Sequence, residues 1–140
     1  LSMCKLITDL AFPSPIRLGD KTATANYFPQ RESDELQPFI TDRIYEHLRM
    51  LDLTACANIT DDAIEGIISH APKIRNLVLS KCLLLTDRSV ESICALGRNL
   101  HYLHLGHASK VTDRAVKTLA RACNRIRYVD FASQFENLLV

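Results

Sequence analysis

Leu48-Arg49-Met50-Leu51-Asp52-Leu53-Thr54-Ala55-Cys56-Ala57-Asn58-Ile59-Thr60-Asp61 is the stretch from which the rest of the chain can be read, because the sequence returns to it at a fixed interval. Its first residue recurs as Ile74, Leu100 and Ile126, and its Thr-Asp ending as Thr86-Asp87 and Thr112-Asp113, each step being 26 residues. Self-similarity held at both ends of a segment marks units that stack on one another and share a core.

Each unit has a physical reading. Apolar residues at the first, fourth and sixth positions (Leu48, Leu51, Leu53; Ile74, Leu77, Leu79; Leu100, Leu103, Leu105; Ile126, Val129, Phe131) put the last two on one face of a short strand, and the residues between them face solvent. A tight turn follows, then an apolar residue (Ile59, Leu85, Val111) and the Thr-Asp pair, which reads as a helix start: the side-chain oxygen accepts from a first-turn amide and the Asp charge suits the positive end of the dipole. Behind it the apolar residues pair one turn apart, as Ala63, Ile64, Ile67 and Ile68, then Val90, Ile93 and Cys94, then Ala115, Val116, Leu119 and Ala120. Ala71-Pro72, Gly97 and Cys123-Asn124 stop the helices. The spacing predicts strands near Arg49 to Thr54, Asn76 to Ser80, Tyr102 to Gly106 and Arg127 to Phe131, and helices near Asp61 to His70, Asp87 to Leu96 and Asp113 to Ala122. Because each helix returns the chain to the same side, the strands are expected to be parallel. The fold class is α/β: a leucine-rich-repeat solenoid, or horseshoe, with parallel concave strands, convex helices and a 26-residue period.

The chain divides accordingly. Residues 1–9 match the end of a truncated repeat, so whatever precedes Leu1 is expected to be missing. Residues 10–47 carry Pro13, Pro15, Gly19, Pro29, Pro38 and a polar run from Gln30 to Glu35, and read as an irregular insertion loop. A degenerate repeat there is the alternative, since Thr8 and Thr60 are 52 residues apart, two periods; Asp42 to Leu48 could add a helical turn. Residues 48–125 hold three complete repeats, and 126–140 an incomplete, divergent terminal one with Gln134 and Leu138-Leu139 where Cys and Thr-Asp are due.

With 140 residues, 47% of them hydrophobic, the chain can bury the core of one ordinary domain. Its net charge of +1 does not by itself imply nucleic acid or membrane. Cys4, Cys56 and Cys82 share the ninth position of their units and Cys94 lies on a helix stripe, which suits buried thiols and a cytoplasmic or nuclear compartment. No apolar run approaches the ~20 residues of a membrane-spanning helix.

No catalytic constellation, cofactor loop or metal cluster emerges, and the chain is not expected to be an enzyme. His101, His104 and His107 have metal-like spacing, but an extended strand turns residues three apart to opposite sides. Gly97 and Gly106 are turn or capping residues. Lys81 beside Cys82 could lower a thiol pKa, yet Cys82 is a repeat position. What remains is a surface. The third, fifth and seventh positions form columns about 5 Å apart from strand to strand: Met50, Asp52, Thr54; Asn76, Val78, Ser80; Tyr102, His104, Gly106; Tyr128, Asp130, Ala132. Arg49, Arg75, His101 and Arg127 border them on one side, Lys81 and His107 on the other. Two readings stand: a solvated rim of charges, or a groove for an acidic or phosphorylated segment, with Arg49, Arg75, Lys81, His107 and Arg127 around Asn76, Tyr102, His104 and Tyr128.

The pattern Leu-x-x-Leu-x-Leu-x-x-Cys-x-x-Ile-Thr-Asp resembles the cysteine-containing leucine-rich repeat of F-box proteins. Ala71-Pro72-Lys73-Ile74-Arg75-Asn76-Leu77-Val78-Leu79 and His101-Tyr102-Leu103-His104-Leu105-Gly106-His107 are similar to fungal F-box proteins of the glucose-repression-resistance type, over Leu1 to Asp9 and Leu48 to about Tyr128. The resemblance implies the client-binding part of an adaptor in a Skp1-cullin-F-box ubiquitin ligase, holding phosphorylated proteins for ubiquitin-dependent degradation, with the Skp1-cullin contact made through an F-box absent here. A leucine-rich-repeat protein that lacks an F-box and antagonises the cell cycle by occupying a partner is the alternative.

Overall fold

The computed structural model of the chain describes residues 6–14 and 42–131. Four helices, α1 (Asp42–His47), α2 (Asp61–His70), α3 (Asp87–Cys94) and α4 (Asp113–Ala122), alternate with four three-residue strands, β1 (Met50–Asp52), β2 (Asn76–Val78), β3 (Tyr102–His104) and β4 (Tyr128–Asp130). Short 3-10 turns span Asp9–Ala11 and Gly97–Asn99. The strands form one parallel sheet in the order β1-β2-β3-β4, with Leu51 opposite Leu77, Leu77 opposite Leu103 and Leu103 opposite Val129. Among the described residues no helix is long and apolar enough to cross a membrane.

The strands end early because the backbone turns. Ala55, Lys81 and His107 adopt φ of 60°, 61° and 66°, the left-handed region that side chains disfavour. Amide bonding continues through the turns: Leu53 donates to the Val78 carbonyl, Leu79 to that of His104 and Lys81 to that of Gly106, at 2.8 to 2.9 Å. As a result Ser80 and Gly106, expected on the solvent side with the other column residues, are buried instead. Ala132, Cys4 and residues 15–41 lie outside the described residues.

The Thr-Asp pairs open three helices in two ways. The Thr60 and Thr86 hydroxyls accept from the amides of Asp62 and Arg88 at 3.4 and 3.3 Å, while Thr112 makes no such cap bond. The aspartates act across elements. Asp61 accepts from the Thr86 amide at 2.9 Å and its hydroxyl at 2.7 Å, and Asp87 accepts from both groups of Thr112 at 2.6 Å. Asp9 accepts from the amide and hydroxyl of Thr60. Each helix start is thus tied to the next.

Leu53, Leu79, Leu103 and Leu105 share one core with Ile64, Ile67, Val90, Ile93, Ala115 and Leu119 from the helices. The stretch 10–47, expected to be an irregular insertion, contributes to that core at both margins: Phe12 is 5% exposed and Tyr45, on α1, 1%. Gly66 explains how residues 12–14 come so close to α2, since a Cβ there would lie 1.8 Å from the Pro13 carbonyl oxygen. On the last helix Ala120, expected on the apolar stripe, is exposed and Val116 half-buried, because no described residue covers that flank.

Candidate partner-binding face

The parallel register brings Met50, Asn76, Tyr102 and Tyr128 into one row on the face of the sheet opposite the buried leucines, and Asp52, Val78, His104 and Asp130 into the next. Alternation along each strand does this: Leu51, Leu77 and Leu103 are buried and their neighbours half-buried or exposed. Tyr102 and Tyr128 stack, ring centroids 4.6 Å apart and planes 8° from parallel. They make a flat amphipathic platform, with Tyr128 46% exposed.

In the second row the His104 Nε2 lies 3.5 Å from an Asp130 carboxylate oxygen. The imidazole folds back over the turn, where a Cβ on Gly106 would come within 2.8 Å of Nε2, so the absence of a side chain at Gly106 gives His104 its room. The Tyr128 hydroxyl reaches the same carboxylate at 3.5 Å, and the Asp130 charge raises the phenol pKa above its ordinary value. At the other end of the row Asp52 accepts from the Thr54 amide at 2.9 Å.

The cations expected at this face occupy its edges. Arg49, Arg75 and Arg127 are exposed at the start of their strands, and their main chain is built into the sheet: the Arg49 carbonyl accepts from the amides of Arg75 and Asn76, and the Arg75 carbonyl from those of His101 and Tyr102. Among the described residues none of the three arginines enters an ion pair. Lys81 and His107 are exposed on the left-handed turns beyond the other end of the strands, a strand's length from the arginines. The structure therefore brings Tyr102 to Tyr128 and His104 to Asp130, and sets the cations as two flanks. Sequence reasoning left Asp52 and Asp130 out of the site, although their alternation with Leu51 and Val129 already places them on this face.

Lys81 does not activate Cys82. Burial pushes that thiol up to about 12, and Cys82 donates to the Leu53 carbonyl at 3.1 Å, a structural role. Cys123 is likewise pushed up by burial to about 11. Cys82, Cys94 and Cys123 are free thiols.

On this geometry the chain is an α/β protein whose parallel sheet presents one side-chain face with aromatic, cationic and anionic parts. No family model matches it.

Proposed function

We propose that the chain is a leucine-rich-repeat solenoid with a 26-residue period, and that the open face of its sheet is the concave, client-binding surface of an F-box adaptor of a ubiquitin ligase. Every strand pair supports the period, since Met50 faces Asn76, Asn76 faces Tyr102 and Tyr102 faces Tyr128. The adaptor role rests on the sequence resemblance. A binding part fits a face on which His104 lies against the Asp130 carboxylate and Asp52 accepts from the Thr54 amide.

The observation that carries the binding reading is the stacked tyrosine pair beside Arg75 and Arg127. A rigid aromatic platform is a low-entropy contact, and a neighbouring guanidinium offers phosphate or carboxylate a bidentate partner. Asp52 and Asp130 repel anions from the second row, so the acidic group of a client is received on the arginine edge.

The test is fluorescence anisotropy with an acidic peptide in phosphorylated and unphosphorylated forms. The phosphorylated form should bind more tightly, and more weakly at high salt, because charge attraction is screened over about 10 Å at 0.1 M. Arg75→Glu with Arg127→Glu, on the arginine edge, should abolish capture while circular dichroism is unchanged. Equal binding of the two peptides, or full binding by the folded double variant, removes the proposal.

A further inference from the structure

The turn after β2 carries two leucines that folding leaves in water. Leu83 is 51% exposed and Leu84 40%, while the next residue, Leu85, is fully buried and fills the core position. In the turn after β1 the same two places hold Ala57 and Asn58, and after β3 Ser109 and Lys110, although all three turns share a left-handed residue at Ala55, Lys81 and His107. The backbone therefore does not require apolar side chains there. Single leucines scattered over a surface are ordinary, but this is an adjacent pair where both neighbouring turns are small or polar. Described chain lies on either side, so the pair sits within the sheet's span and not at its margin.

Two bonds hold this turn against the one after β3. The Lys81 amide donates to the Gly106 carbonyl at 2.8 Å, and Thr86 pairs with Lys110 through an isolated parallel bridge. Residues 81–86 consequently run beside 106–110, which borders the leucines with Lys81, His107 and Lys110. All three are exposed, and none enters an ion pair among the described residues. The carboxylates at the adjoining helix starts are engaged by hydroxyls instead: Asp61 accepts from Thr86 and Ser89, and Asp87 from Thr112. The result is an apolar ledge inside a cationic border.

We infer that this ledge docks a short segment of a partner protein in which bulky apolar side chains are flanked by carboxylates. Leu83 and Leu84 take the apolar side chains out of water, and Lys81, His107 and Lys110 meet the acids. Charge selects this occupant over two others. A second copy applying the same ledge would set these cations against their own kind. An anionic membrane is broad enough to meet Asp61, Asp87 and Asp113, which open α2, α3 and α4 just beyond the turns, and is repelled there, whereas an extended segment is narrow enough to follow the cations. The ledge lies a strand's length from the arginine edge, and the inference does not rest on the adaptor reading.

NMR titration of the full chain with a capped hexapeptide, two leucines between two pairs of aspartates, tests this. The amide signals of Leu83, Leu84, Ser109 and Lys110 should shift along one saturable curve. Leu83→Ala with Leu84→Asn gives this turn the residues that the turn after β1 already carries, so the fold is kept; binding read at Ser109 and Lys110 should weaken about tenfold. Lys81→Ala with Lys110→Ala should weaken it similarly and flatten its salt dependence, Ala55 showing that alanine occupies such a turn. Replacing the peptide's leucines by serine, or its aspartates by asparagine, should each cost about tenfold as well. No shift at the leucines, or equal binding by the double leucine variant or by either altered peptide, overturns the inference. Concentration-dependent shifts at Leu83 and Leu84 without peptide would make a second copy the occupant, and pelleting with phosphatidylserine vesicles that is lost in the leucine variant would make it a membrane. Overhauser contacts from the Leu83 and Leu84 methyls to residues 15–41 or 132–140 in the free chain would make it the chain itself. Each of these three results also overturns the inference.

Discussion

Asp61→Ala should be the most damaging change in the series of cross-element aspartates, because of one buried serine. The Asp61 carboxylate accepts the Thr86 amide at 2.9 Å, the Thr86 hydroxyl at 2.7 Å and the hydroxyl of Ser89. Thr86 is half-buried and its donors recover water when the carboxylate goes, a loss of about 1 kcal/mol. Ser89 is 0% exposed and loses its acceptor in a place water does not reach, which costs about 1–3 kcal/mol more. The sum is about 2–4 kcal/mol. Asp87→Ala is the internal control: it frees only the exposed Thr112 donors, and Ala115 stands where Ser89 stands one unit earlier, so about 0.5–1.5 kcal/mol is expected. Ser89→Ala should cost about 1–2 kcal/mol in the wild type and nothing, or less than nothing, in the Asp61→Ala background, where it removes the orphaned hydroxyl. Urea unfolding of the four proteins of this double-mutant cycle gives the coupling. If Asp61→Ala costs no more than Asp87→Ala, or Ser89→Ala costs the same in both backgrounds, the serine is not what makes this link special.

Further changes probe the same structure. Leu103→Ala, at a fully buried position of β3, should lose about 2–5 kcal/mol in the same assay, and a cost under 1 kcal/mol would mean the core is not centred there. Gly66→Ala drives a methyl into the Pro13 carbonyl and should cost about 1–3 kcal/mol; a neutral result would show that residues 12–14 do not lie against α2. Burial raises the Asp61 pKa, but the hydrogen bonds from Ser89 and Thr86 outweigh it and hold the carboxyl below its ordinary 3.8. Its contribution is therefore complete above that value and lost as pH falls through the lower folded value, so the wild type should lose more stability than Asp61→Ala on acidification below about pH 4. Cys82, pushed up to about 12 by burial, should resist alkylation at pH 8 in the folded chain and react on unfolding; rapid native labelling would contradict its place beneath the turn.

The parallel sheet was legible because the leucines declare their face: Leu51, Leu77 and Leu103, spaced alike, pair with one another. Helices α2 and α4 run over Asp61–His70 and Asp113–Ala122 as the Thr-Asp starts indicated, while α3 stops at Cys94 and gives way to a 3-10 turn at Gly97. The reach of Asp61 to Thr86 was missed because capping arguments are local and look only within a helix's first turn. Phe12 and Tyr45 were missed because a single aromatic residue in a non-periodic stretch carries no pattern to mark it as core. At the candidate site, equivalent positions in the repeat placed Tyr102 and Tyr128 in one column, and the structure shows them stacked. The inward turn of Ser80 and Gly106 did not show, since nothing about Lys81 or His107 announces a positive φ.

Those turns hold reclaimable stability. A non-glycine residue in the left-handed region sits roughly 1–2 kcal/mol above its relaxed backbone, whereas glycine takes that conformation without a Cβ penalty. At Ala55 there is little side chain to lose, so Ala55→Gly offers an engineer a thermostabilising change that leaves the surface chemistry alone. At Lys81 and His107 the same substitution relaxes the backbone and deletes a charged or titratable group from the rim, so durability and surface chemistry pull in opposite directions. Directed evolution under heat alone should drift toward glycine at all three positions, and selection that also demands partner capture should spare the two that carry side-chain chemistry.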